Sequence, residues 1–326
     1  MKVLRVGDVH CKPNNLKESE ALMGFVLAKA KDLEVDRLEI LGDLWDTHSV
    51  VRLEVTEFWD RWFNILRMQL FKTVVLVGNH DVTGNYSSNY SALHPFLSLE
   101  SSFFKIVHEP YIYFKYGYLP YIHSNEKFIE EANKLAEKGA TVLVSHPNYE
   151  GAVYDNGTAI SNGVSPNDLD PRLLHLIGGH IHTELELGRI WYPGNSRWLT
   201  KACANKRKGI WMCTHDDTTG AMLSKEFIST ESVCTPILFY SIEEGESLPQ
   251  FKENSITQVE LVGTSDWVSK TKKDLVGVSV SSKITDIKKS RERKSGKSLY
   301  EFLSTHYQTD KREKLMEYMK GLKLVG

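Results

Sequence analysis

Short β-rich apolar runs alternate along the chain with longer stretches of helical period, and five of the runs end in a small residue followed by a polar cluster. Val3–Val6 leads into Gly7-Asp8, Leu38–Leu41 into Gly42-Asp43, and Val74–Val77 into Gly78-Asn79-His80-Asp81. Val142–Val144 leads into Ser145-His146, and Leu174–Ile177 into Gly178-Gly179-His180. Apolar runs of this length fit strands buried on both faces. Lys17–Lys31 and Glu54–Leu70 carry helical patterns between them. Strands alternating with helices predict a layered α/β domain over residues 1–220.

The pattern changes near residue 220. Residues 221–282 read as short strand-like pieces, Val259–Val262 and Val276–Val280 among them, and are expected to form a smaller appended α+β capping domain. Residues 283–297 are basic, with Lys283, Lys288, Lys289, Arg291, Arg293, Lys294 and Lys297 against Asp286 and Glu292, and are expected to be a linker. Residues 298–326 carry two amphipathic helix patterns. Leu299, Phe302, Leu303 and Tyr307 mark the first, and Leu315, Tyr318, Met319 and Leu322 the second. Short, late and separated by a charged linker, this pair is expected to dock a partner.

Composition narrows the class only slightly. Lys plus Arg number 40 against 42 Asp plus Glu, so the net charge of −2 gives no global sign of a polyanionic partner. Four cysteines without CxxC spacing are expected to be reduced thiols in a cytoplasmic setting, and Cys203 and Cys213 are read as core or surface residues rather than a metal pair. The opening Lys2-Val3-Leu4-Arg5 is too charged for a secretory leader, and no apolar run reaches the roughly 18 residues that a membrane span needs.

The polar clusters carry the chemistry. In α/β sheets, ligands gather beyond the carboxyl ends of strands, where each of these clusters falls, and glycine lets the backbone turn sharply there. Together they supply Asp8, His10, Asp43, Asn79, His80, Asp81, His146, His180 and His182. Asp8 and His10 are two apart, so on extended backbone they project to one side and can grip one ion. The same spacing gives His180 and His182 the same expectation. Asp43, alone after its strand, is suited to bridging two cations. Divalent ions such as Mn²⁺ and Fe²⁺ accept imidazole as well as oxygen, and two ions roughly 3.5–4 Å apart can clamp a phosphate.

In order, GDVH, GDLWD, GNHD, SH and GGHIH resemble the motifs of the calcineurin-like metallophosphoesterase superfamily. That resemblance implies a four-layer β-sandwich flanked by helices, with two divalent metal ions, Mn²⁺ foremost and Mg²⁺ as alternative, at one sheet edge. It assigns Asp8, His10 and His182 to one ion, Asn79, His146 and His180 to the other, and Asp43 to both. His80 is then left to protonate the leaving oxygen, with Asp81 orienting its ring.

Beyond residue 183, Tyr192-Pro193-Gly194-Asn195-Ser196 and Gly209-Ile210-Trp211 resemble the Mre11/SbcD DNA nucleases, most closely the bacteriophage members. This second resemblance implies a DNA exonuclease and endonuclease subunit of DNA end processing, working with a Rad50/SbcC-type coiled-coil ATPase through residues 298–326. It also implies a homodimer, for which Trp59, Trp62 and Phe63 offer a seam, although burial in the chain's own core is the first expectation for them. Cys11-Lys12-Pro13 and Asn195-Ser196-Arg197 depart from the family pattern and put loop shape and DNA path in doubt. Lys201, Lys206, Arg207 and Lys208 read equally well as phosphate contacts or as a solvated loop, and the polar loop of Tyr86 and Tyr90 is expected to be a plain loop. Alternatives are a nucleotide or protein phosphoesterase with the same site, and a non-catalytic scaffold on the fold.

Overall fold

The computed structural model describes residues 1–48, 50–83 and 90–285. The expected helix pair at 298–326, the basic run from residue 286 onward and Tyr86 lie outside the described residues.

Along the chain, β1 (Lys2–Val6), α1 (Leu16–Asp32), β2 (Arg37–Ile40), α2 (Leu53–Leu66), β3 (Lys72–Leu76) and β4 (Phe104–Val107) lay down four parallel neighbours. Next come β5 (Tyr111–Tyr113), β6 (Tyr116–Leu119), α3 (Asn125–Glu137), β7 (Val142–Ser145), β8 (His175–Gly178), β9 (Leu185–Leu187) and β10 (Ile190–Tyr192). These six strands form a second sheet in the order β5-β6-β7-β8-β10-β9. The chain then returns through β11 (Gly209–His215) and β12 (Met222–Ser229). β11 pairs antiparallel with β1, so the first sheet runs β12-β11-β1-β2-β3-β4.

Three apolar layers define the sandwich. On the outer face of the first sheet, Leu4, Val6, Leu38 and Ile40 pack with Leu22, Met23 and Val26 of α1 and with Val55, Phe58, Trp59, Trp62, Phe63 and Leu66 of α2. These α2 positions recur at three and four residues, one broad stripe of a helix. Each such side chain contributes about 1.5–3 kcal/mol on burial. Trp59 and Phe63 are fully buried here, so these aromatics serve the chain's own core. The second sheet is covered by Phe128, Ala132, Leu135 and Ala136 of α3. Val74, Leu76, Tyr116, Val142, Val144, Ile177, Trp191 and Trp211 fill the space between the sheets. The four layers implied by the resemblance are thus present.

One charged network crosses that inner layer. Arg5 Nε lies 2.8 Å from Glu39 Oε2, and Tyr118 donates to Glu39 Oε1 at 2.6 Å. Arg37 donates in turn to the Tyr118 hydroxyl. Burial raises the Glu39 carboxyl, but Arg5 and Arg37 outweigh it and hold the group below its ordinary value. β2 therefore alternates, with Leu38 and Ile40 toward the helices and Arg37 and Glu39 toward the second sheet.

The chain divides into two compact units, the first comprising residues 1–239 and 250–258. The expected boundary near 220 is therefore too early, because β12 at 222–229 pairs with β11 across the full strand. From residue 237 on, β13 (Ile237–Glu243), β14 (Ile256–Gly263), α4 (Ser265–Asp274) and β15 (Ser279–Ile284) build a three-stranded sheet in the order β13-β14-β15, with one helix. Lys283, expected in the linker, sits on β15 and pairs with Glu260 at 2.8 Å. No described helix is long and apolar enough to cross a membrane.

Candidate metal centre

Every ligand-type residue named from the sequence follows the carboxyl end of a parallel strand, and the ends come from both sheets. Asp8 and His10 follow β1, Asp43 follows β2, and Asn79 and His80 follow β3; His146 follows β7, and His180 and His182 follow β8. Asp8, His10, Asp43, Asn79 and His146 are at most 8% exposed.

The loops are stitched to one another through the ligands themselves. His10 N donates to Asp43 O at 2.9 Å, His80 N to Asp43 Oδ1 at 2.8 Å, and His180 N to Asp8 Oδ2 at 2.8 Å. Close approach demands glycine at two points. A Cβ on Gly78 would overlap the backbone and carboxylate of Asp43, and one on Gly179 would overlap Leu41 O and the His146 ring. Three of the ligand residues hold left-handed backbone, His10 at φ 47°, Asp43 at 49° and His180 at 83°. Non-glycine residues keep such angles only where their surroundings enforce them.

Four donor groups result among the described residues, one of them His10, Asp43 and His80 and another Asp155, His182 and Cys203, and two match the ligand sets that the resemblance implies. Asp8, His10 and His182 offer ligand atoms within 4.8 Å of one another, and so do Asp43, His146 and His180. His10 Nε2 and His182 Nε2 lie 3.0 Å apart, with His182 Nε2 3.7 Å from Asp8 Oδ2. Asn79 Oδ1 lies 3.0 Å from His146 Nε2 and 2.6 Å from His180 Nδ1. Asp43 Oδ2 touches both groups, 3.7 Å from His10 Nε2 and 3.2 Å from His146 Nε2. The spacing-based expectation that His180 and His182 grip one ion is corrected. The backbone at His180 is not extended, so the two rings diverge into different groups.

The chemistry of the pocket fits divalent cations. Asp8 Oδ1, a carboxylate oxygen of the ligand cluster, is buried without a hydrogen-bond partner among the described residues. Buried polar atoms of this kind are costly unless something satisfies them. Burial holds His10 well below its ordinary value and His180 down to about 3, keeping both imidazoles in the neutral form that ligates. Burial pushes the Asp8 carboxyl up to about 6. His146 is driven to about 9 despite its burial, chiefly by the Asp43 carboxylate beside it. His146 Nδ1 donates to Leu41 O at 2.7 Å, which leaves Nε2 aimed at Asp43 and Asn79. Four imidazoles, two carboxylates and one amide oxygen suit transition ions better than Mg²⁺.

His80 stands at the rim, its pKa lowered chiefly by burial. Its ring is not set by Asp81, contrary to the sequence reading. Asp81 accepts from the backbone N–H groups of Gly78 at 2.8 Å, Leu44 at 2.9 Å and Trp45 at 3.1 Å, which uses both carboxylate oxygens. The carbonyl of Asp46 holds His80 Nδ1 instead, and His48 stacks on the ring at 4.0 Å between centroids.

Other contacts of the site escaped the sequence reading. Cys203 and Asp155 flank His182, with Asp155 Oδ2 3.7 Å from His182 Nδ1. Arg197 and Lys208, 0% and 2% exposed, contact backbone beside the site. Lys208 was visible as the last cation of the basic loop, but nothing in the sequence marked it, or Arg197 before it, as buried. Much of the basic loop is engaged internally: Lys206 pairs with Asp155 at 3.2 Å, and Arg207 pairs with Glu184. All four cysteines are free and buried, Cys203 and Cys213 in different layers of the core.

The family model for calcineurin-like phosphoesterases matches residues 1–184, more than half of the chain. Among solved structures, that of Yfce, a phosphoesterase from E. coli, is similar at 15% identity and a TM-score of 0.33, the match covering 70% of this chain and 100% of that one. No curated protein matches the sequence.

Proposed function

Because this chain belongs to the calcineurin-like phosphoesterase family, we propose that it is a two-metal phosphodiester hydrolase acting on DNA, the nuclease subunit of an end-processing machine. In this reading Asp8, His10 and His182 hold one divalent ion, Asn79, His146 and His180 the other, and Asp43 both. Bound ions of this kind supply Lewis acidity to the phosphoryl oxygens and lower the pKa of water, with Mn²⁺ the favoured metal. His80 works from outside the ligand set. Because Asp46 O can only accept, Nδ1 of His80 carries the proton, and Nε2 is the atom that takes up and hands on a proton to the leaving oxygen.

One observation carries the DNA reading. The stretch from Tyr192 to Trp211, whose Tyr192-Pro193-Gly194 and Gly209-Ile210-Trp211 carry the nuclease resemblance, lies against the ligands: Asn195 and Arg197, which depart from the nuclease pattern within it, donate to His182 O at 3.1 Å and to His10 O at 2.9 Å. A Rad50/SbcC-type ATPase docking through residues 298–326, and a homodimer, complete the proposal. The second reading, a nucleotide or protein phosphoesterase, is favoured by the internal pairing of Lys206 and Arg207, which leaves less free cation for a polyanion.

The test is cleavage of labelled single- and double-stranded DNA by the purified chain with Mn²⁺, with and without a coiled-coil ATPase, beside nucleotide and phosphoprotein substrates. DNA turnover well above the others is expected. Inertness toward DNA with turnover of a monoester moves the assignment to the second reading.

A further inference from the structure

We infer that Arg197 and Lys208 are positioning residues that clamp His10 and His182, the two imidazoles assigned above to one ion, by their backbone carbonyls. Arg197 is fully buried and donates from one nitrogen to His10 O at 2.9 Å and from another to Ser19 Oγ at 3.0 Å. Lys208 is 2% exposed and its ammonium donates to His182 O. Each carbonyl has a second donor, Asn15 Nδ2 at 3.0 Å for His10 and Asn195 N at 3.1 Å for His182.

Packing alone does not account for two buried cations. A buried charge costs several kcal/mol unless geometry and hydrogen bonds compensate it. The carboxylate nearest Arg197, Glu18, is 3.5 Å away and partly exposed, and Arg197 Nε has no partner. What the guanidinium does hold is the peptide of His10, whose left-handed φ of 47° needs an outside restraint. With His10 N tied to Asp43 O at 2.9 Å, the backbone is held on both sides of the His10 Cα, and the ring direction follows from it. The other ion's imidazoles lack this device: among the described residues, no lysine or arginine donates to the carbonyl of His146 or His180. Both clamps come from beyond residue 184, outside the span of the family match, so the 195–208 segment belongs to the metal centre.

The inference rests on the two-ion assignment, and calorimetric Mn²⁺ titration of the full chain separates the two. In the parent protein two binding events are expected, with His10→Ala and His182→Ala both weakening the same one. If they weaken different events, or none, the assignment itself fails. With the assignment standing, Arg197→Met and Lys208→Met are expected to weaken that same event about 10–100-fold, the range for supporting residues of metal ligands, and to leave the other within about twofold. Arg197→Lys, which keeps the charge but loses the fork, should fall between. If the methionine variants do not fold, Asn15→Ala removes the second donor from His10 O without stranding a charge and should weaken the same event about fivefold. Unchanged affinities, or equal loss at both events alongside a lower Tm, would overturn the clamp.

Discussion

The carbonyl oxygen of Asp46 lies 2.7 Å from Nδ1 of His80, and this contact, not the adjacent Asp81, sets the ring. A carbonyl cannot donate, so Nδ1 carries the proton and Nε2 is the nitrogen left to exchange one. The His10 and His80 rings meet edge to face at 4.6 Å, which places His80 beside the ligand cluster.

Replacing His80 with Gln should therefore lower turnover by roughly 10²–10⁴, the usual span for loss of a proton-transfer group. Mn²⁺ affinity should stay within a few-fold of the parent value. Paired kinetic and metal-binding measurements check this, and a large loss of affinity would make His80 a ligand instead.

Asp81→Ala should act on stability. It strands three backbone N–H groups, those of Gly78, Leu44 and Trp45, and a buried donor left without a partner costs about 1–3 kcal/mol. Urea unfolding should show a loss of at least about 3 kcal/mol. A normal unfolding midpoint with a shifted pH–rate profile would return Asp81 to the role of orienting His80.

Gly78→Ala places a methyl group where the Asp43 carboxylate and backbone nitrogen stand. Because Asp43 touches both donor groups, its displacement should weaken both ions together and reduce activity by at least about 10²-fold, as misplacement of reacting groups does. Mn²⁺ titration distinguishes this from the one-sided effect expected of Arg197 and Lys208.

A pH effect on stability should arise far from the ligands, at His215. Its Nε2 lies 3.0 Å from Arg5 Nη1, and its Nδ1 donates to Gly220 O at 3.0 Å. Burial first, then Arg5, lowers its pKa to about 3. As pH falls below the unfolded value of about 6.5, the unfolded chain takes up a proton that the folded chain refuses. Stability should then decline by up to about 1.4 kcal/mol per pH unit until about pH 3, where the effect ends. His215→Gln keeps an acceptor for Arg5 and should flatten this slope between pH 6.5 and 5 in urea unfolding. Parallel curves for the two proteins would refute it.

The strand ends and their chemistry were legible in the sequence because both are local. Val74–Val77 shows as an unbroken apolar run and Val3–Val6 as one broken only by Arg5, and β3 and β1 overlap them to within a residue or two. The ligand-type residues follow those ends, so their identities needed no tertiary information. Local pattern also misleads. Two-residue spacing put His180 and His182 together, until a φ of 83° at His180 separated their rings. β2 read as an apolar run, yet Glu39 turns inward because Arg5 is there to meet it.

By itself, then, the sequence determined which residues carry donor atoms and which strands deliver them, since periodicity and residue type are properties of neighbours along the chain. Only the tertiary structure decided that Asp46 rather than Asp81 holds His80, and that Arg197 and Lys208 grip the backbone of His10 and His182. Those contacts join residues 26 to 187 positions apart. Whether a cation near a strand is solvated or buried depends on what the other loops bring to it.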